Sequence, residues 1–215
     1  MDGVHTVEAS GVKTAGKRHM ILRLGVVVVG CGVLLGALNS LANVFGSPYS
    51  PRSLRPGRGI FALEVLAAVL GTPGAWALTA FAASWVAGVV CALRWWAGPL
   101  VGIAALLVAD AAYYFCDDIS GYAQGNLIEP LSWAALAIPV GALMGTLGAL
   151  ATRPETWSIL PALAGPAVLA VLARRSGSDH IQPVPLVTTY VTAAVLGVFV
   201  LASWAVRLHR AKRIT

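Results

Sequence analysis

The side chains with the most chemical leverage in this sequence are Asp110, Tyr113, Tyr114, Asp117 and Asp118, which fall within one short stretch. At helical spacing Asp110, Tyr113 or Tyr114, and Asp117 or Asp118 share a face, which makes an acidic and aromatic stripe. Asp110 is the one acidic residue inside the apolar run from Gly98 to Cys116. A carboxylate at the centre of a membrane helix costs about 2.5 to 3.5 kcal/mol on insertion scales, so this group needs a partner or water. It can anchor a cation, a proton or a polar solute. It can equally be a structural aspartate held by a Tyr hydroxyl or an Arg of the same chain, and its spacing alone leaves both readings open.

Other reactive patterns are missing. There is no HExxH, no GxSxG and no paired acidic motif of the kind lipid phosphotransferases use, so the sequence predicts a protein that is not an enzyme and carries no cofactor. Asp110, Asp117, Asp118 and His180 could be imagined around a metal, but they span two loops without ligand spacing, and no metal site is predicted. Cys31, Cys91 and Cys116 are far apart, form no CxxC pair and lie in or at the end of apolar runs, which reads as small buried apolar residues.

The elements that must position the stripe follow from composition. Of 215 residues 58% are hydrophobic and 11% are charged, and the mean hydropathy is +0.78. Soluble domains carry about 25% charged residues, so a soluble enzyme is excluded, as is a disordered chain, which needs low hydrophobicity and high charge. The pI near 9.7 does not imply a nucleic-acid partner, because the basic residues lie at the ends and in short connections and form no patch. Arg supplies 12 of the 15 basic residues and Ala, Gly and Val abound, a coding bias of GC-rich bacterial genomes.

About 20 apolar residues at 1.5 Å each cross a bilayer core. On that measure the sequence predicts an all-α polytopic membrane helix bundle with six transmembrane helices, spanning about 24–42, 75–93, 98–116, 131–151, 157–173 and 184–206. Residues 1–20 read as a polar cytoplasmic tail, 21–206 as a single domain and 207–215 as a basic cytoplasmic tail. Residues 60–70 are apolar apart from Glu64 but too short to span, and Gly71-Thr72-Pro73-Gly74 separates them from the next run, so they read as an interfacial or re-entrant helix. Ser40-Leu41-Ala42 has the small residues of a signal-peptidase site, but the long polar front and the nearby Asn39 and Asn43 argue against cleavage. With both termini inside, ten Lys and Arg fall on the inner side and five on the outer, as the positive-inside rule requires. Trp95, Trp96, Trp157 and Trp204 then sit at the inner interface and Trp76 and Trp133 near the outer one. The expected location is a bacterial plasma (inner) membrane.

This topology sorts the polar groups by depth. Asn39, Ser40 and Asn43, then Thr79, Asp110 and Tyr113, then Ser132, Thr188, Thr189 and Thr192, all fall in the outer half, whereas the inner half has little beyond Thr146. An outward-opening polar cavity covered by the first loop would look like this, with Asp110, Tyr113, Tyr114, Asn39, Asn43, Thr188 and Thr192 as its ligand-binding residues. A hydrated rim without a ligand would look the same. Pro139, Pro161 and Pro166 free backbone carbonyls that must be satisfied inside the protein. Outer Arg52, Arg55, Arg58, Arg174 and Arg175 are placed to pair with Asp117, Asp118 and Glu129. Small residues four apart, at Gly32, Gly36 and Ser40, at Ala80, Ser84, Gly88 and Ala92, and at Gly141, Gly145 and Ala149, predict close helix packing, within the chain or against another.

The stretch Gly36-Ala37-Leu38-Asn39-Ser40-Leu41-Ala42-Asn43, running on to Ser47-Pro48, and the stretch from Tyr113 to Gly121 resemble a family of small actinobacterial integral membrane proteins of unknown function, over about residues 24–206. The resemblance implies a bundle of about six helices and no assigned activity. In architecture alone, six helices with a long outer first loop are similar to the substrate-binding subunits of energy-coupling-factor vitamin transporters. Two functional expectations result. One is a binding or transport module for a small polar or cationic solute; the other is a structural, immunity or partner-docking membrane protein without a ligand. The lipid bilayer is a partner in both.

Overall fold

In hydrocarbon no water satisfies backbone N–H and C=O groups, so a chain this apolar must close its hydrogen bonds within each helix. The computed structural model describes residues 5–47, 50, 52, 54, 60–121, 128–153, 155–176 and 183–212. Among them are seven α-helices: α1 (His5–Gly46), α2 (Phe61–Leu70), α3 (Pro73–Cys91), α4 (Gly98–Ile119), α5 (Ile128–Leu150), α6 (Ile159–Ser176) and α7 (Pro183–Lys212). Short 3-10 turns at Trp95–Ala97 and Thr156–Ser158 lead into α4 and α6. The described residues contain no strand.

Five segments, Arg18–Gly46, Pro73–Cys91, Trp95–Ile119, Ile128–Leu150 and Val187–Val206, are long and apolar enough to cross a bilayer, and the chain is a multi-pass membrane protein. The expected span at 157–173 is present as α6, but its apolar stretch, Thr156–Leu172, is shorter than the other five. Helix also extends into both segments expected as tails. Helix α1 already begins at His5 and α7 runs on to Lys212. Extending an existing helix avoids the nucleation cost, and Ala, Lys, Arg and Glu in these ends are good helix formers.

Helices α1 and α4 run side by side in the same direction. A Cβ at Gly32 would stand 2.7 Å from the Ala105 carbonyl oxygen and 2.8 Å from Val108, and one at Gly36 would collide with the Ala109 carbonyl. Helices α4 and α5 meet antiparallel, with Gly98 against Gly145 and Ala149, and Gly102 against Gly141. Such backbone contact replaces the hydrophobic drive that lipid removes. Helix α3 packs on α4, α5 and α6, and α7 lies against α6. Phe81, Leu106, Met144, Ala162 and Val200 fill the centre. Val26, Val29, Leu34, Val191, Val195 and Val198 stay exposed on α1 and α7, so these helices are apolar on their outward faces too, as lipid contact demands.

The chain leaves α1 and returns to it. The Ile60 N–H donates to the Gly46 carbonyl at 2.9 Å, and Leu63 of α2 presses where a Cβ on Gly46 would be. Thr72 then fixes the joint between α2 and α3. Its hydroxyl donates to the Val69 carbonyl at 2.8 Å and accepts from the Ala75 N–H at 3.2 Å, and Pro73 starts α3 without a donor to satisfy. The short helix expected at 60–70 is therefore a fixed member of the bundle, packed against α1, α3 and α7.

Candidate ligand cavity

Between α1, α2, α3, α4 and α5 lies a cavity of about 780 Å³, within the range typical of small-molecule sites. Each wall follows from a helical repeat. Helix α2 turns Phe61, Glu64, Val65 and Ala68 toward it, the spacing of a single helix face. Helix α1 contributes Asn39 and Asn43, and α4 contributes Asp110, Tyr113 and Tyr114. Asp110 lies deepest, nine residues before the end of α4, which is roughly 13 Å along the helix axis.

One side is aromatic. Trp76 of α3 stacks on Trp133 of α5 with centroids 6.3 Å apart and planes at 26°. The same Trp76 meets Tyr113 edge-on at 6.5 Å, and Tyr113 meets Tyr114 edge-on at 5.2 Å. These are the offset and T-shaped geometries that aromatic quadrupoles favour. The Asn43 amide donates to the Tyr113 hydroxyl at 3.4 Å, and the Tyr114 hydroxyl reaches the Glu129 carboxylate. Among the described residues of the lining, the ionisable ones other than tyrosine are Glu64, Asp110 and Glu129, all acidic, with no Lys, Arg or His.

Two polar atoms stand out at the bottom. Asn39 is 3% exposed and Asp110 is 6% exposed, and an oxygen of each, Oδ1 in both cases, is buried without a hydrogen-bond partner. Leaving a buried acceptor unpaired costs about 1 to 3 kcal/mol, and more for a charged group. Gly71, at the joint between α2 and α3, lies beside the Asn39 side chain and brings backbone close to it.

The structure brings together five of the seven residues expected at a ligand site: Asn39, Asn43, Asp110, Tyr113 and Tyr114 all line the cavity. Thr188 and Thr192 do not. The Thr192 hydroxyl donates to the Thr188 carbonyl at 2.8 Å within α7, the ordinary way a membrane-helix threonine satisfies itself. Thr79, Ser132 and Thr146 do the same with the carbonyls of Ala75, Ile128 and Ala142. The acidic stripe also divides. Asp117 turns away and accepts from the Ser40 hydroxyl at 2.5 Å, with both side chains buried, while Asp118 is exposed.

The expected loop pairing takes a different form. Arg52 donates to the Ile119 carbonyl at 3.3 Å, at the C-terminal end of α4, and not to an acidic side chain. Arg55, Arg58 and His180 lie outside the described residues, as do the side chains of Arg174 and Arg175. Among the described residues no three His, Cys, Asp or Glu side chains come close enough to hold a metal ion.

Sequence spacing alone missed Trp76, Trp133, Glu64 and Glu129. The two tryptophans read as interface-belt residues, and neither acid lies within the apolar part of a span. Their signal was position: each stands close to the end of its helix on the same side of the bundle as Asn43. Comparisons with protein-family models, with curated proteins and with solved structures give no match to this chain.

Proposed function

We propose that this protein binds or transports a small polar or cationic solute and does so without catalysis. The observation that carries this reading is the Asp110 carboxylate, buried and with an unpaired oxygen, at the bottom of a cavity of about 780 Å³. Burying such a group is costly, and no Arg or Lys among the described residues of the lining offsets it. The cavity opens toward the outside of a plasma membrane, and both termini are cytoplasmic. The ten basic residues expected on the inner side of the sequence's topology, against five on the outer, support this orientation.

The alternative of a partner-docking protein without a ligand draws less support. Gly32, Gly36, Gly98, Gly102, Gly141 and Gly145, the residues best suited to holding another helix, are already in contact inside the chain. The test is Asp110→Asn in the purified full chain, screened by thermal unfolding against small amines, amino acids and sugars. The expected outcome is a monodisperse protein that has lost stabilisation by the solute that stabilises the parent. A variant that no longer folds, alongside a parent that none of these solutes stabilises, makes Asp110 a structural residue and rejects the proposal.

A further inference from the structure

The lining shows which chemical class of solute the cavity suits, an inference that rests on the solute-binding reading above. Both unpaired buried atoms, Asn39 Oδ1 and Asp110 Oδ1, are acceptors. A ligand that completes them must bring hydrogen-bond donors, and beside a carboxylate it should bring positive charge. The other carboxylates of the lining, Glu64 and Glu129, point to the same sign. A bare metal ion fits poorly, because the described acids do not converge on one point and the volume far exceeds that of an ion.

The aromatic side narrows the class further. Trp76, Tyr113, Tyr114 and Trp133 form one continuous contact series along the cavity. Ring faces attract cations within about 6 Å of their centroids, and they also cover apolar carbon. An inorganic cation would use the charge and waste the surface. A sugar would stack on the rings but bring no counter-charge to the buried Asp110. We propose that the ligand is an organic ammonium with at least one N–H, a protonated primary or secondary amine. Its nitrogen lies between Asp110 and Asn39, and its hydrocarbon body rests against Trp76 and Trp133.

The experiment uses three probes that share a cyclohexyl body on the full chain in lipid nanodiscs, with affinity measured by calorimetry. These are cyclohexylammonium, which has charge and N–H donors, its N,N,N-trimethyl derivative, which has charge only, and cyclohexylmethanol, which is neutral. Glucose serves as a polar solute of another class. Cyclohexylammonium is expected to bind at least tenfold more tightly than the other two cyclohexyl probes. Asp110→Asn should weaken it at least tenfold. Trp133→Leu, a change at a 43% exposed side chain expected to leave the fold intact, should weaken it several-fold, because the hydrocarbon body loses the indole surface it rests on.

Equal or tighter binding of the trimethyl derivative overturns the role given to N–H donors and with it the proposal. Equal binding of cyclohexylmethanol overturns the ammonium assignment and leaves the solute-binding reading standing, as does binding of glucose alone. Binding of none of the four rejects both. Undiminished cyclohexylammonium binding by Trp133→Leu overturns the placement of the hydrocarbon body even where Asp110→Asn fails to fold.

Discussion

Two buried aspartates on one helix have opposite fates. Asp110 and Asp117 are seven residues apart, two helical turns, and spacing alone gives them the same face. Helix α1 separates them. It runs along α4 from Gly32 to Ser40, so the turn carrying Asp117 lies under the α1 hydroxyl, whereas the turn carrying Asp110 opens on the cavity. The Ser40–Asp117 bond is charge-assisted when the carboxyl is ionised, and such bonds are the strong ones. Ser40→Ala should therefore lower stability by about 1 to 3 kcal/mol, the cost of a buried acceptor losing its donor. It should leave cyclohexylammonium affinity unchanged, since neither residue lines the cavity. Thermal unfolding and calorimetry on the same preparation check both halves. Asp110 was legible in the sequence as a costly group, because cost depends only on residue type and depth. The diversion of Asp117 was not, because it depends on where a second helix crosses.

Among elements, the glycine seam between α1 and α4 decides whether the site forms. Gly36 stands against the Ala109 carbonyl and the Tyr113 backbone N, so it sets how far α1 stands from the turn that carries the cavity tyrosine. Gly36→Val should push these helices apart and give protein that elutes as aggregate in detergent. Gly25→Leu, on the same helix with nothing within 4 Å of its would-be Cβ, should elute as the parent does, and size-exclusion chromatography distinguishes the two. The small-residue repeat in the sequence predicted close packing but not its partner. The break at Gly71-Thr72-Pro73 was fully legible, because proline and glycine act locally. Less legible were the helix ends at His5 and Lys212, where polar residues that suit a helix also suit a tail.

Taken as a whole, the cavity draws its aromatic and acidic residues from four helices, α2 to α5, and no single repeat encodes that convergence. Trp76 and Trp133 are 57 positions apart in the sequence and stack only because α3 and α5 lie side by side. The outward orientation proposed for the cavity predicts the behaviour of two single cysteines placed in a chain whose Cys31, Cys91 and Cys116 have been changed to Ala. Asp118→Cys, exposed at the cavity end, should react with a membrane-impermeant thiol reagent on intact cells, and Arg153→Cys, in the opposite connection, should react only after lysis. The reverse pattern inverts the protein in the membrane. It also turns the proposed amine site toward the cytoplasm.

The glycine contacts below Asp110 have one further consequence. On the side away from the opening, α1 and α4 touch at Gly32 and α4 and α5 touch at Gly98 and Gly102, with Leu106, Phe81 and Met144 buried beside them. In this conformation the chamber is a cul-de-sac. Under the solute-binding reading proposed above, a solute that reached Asp110 would leave by the way it came, and its carriage to the other side would require backbones now in contact to part.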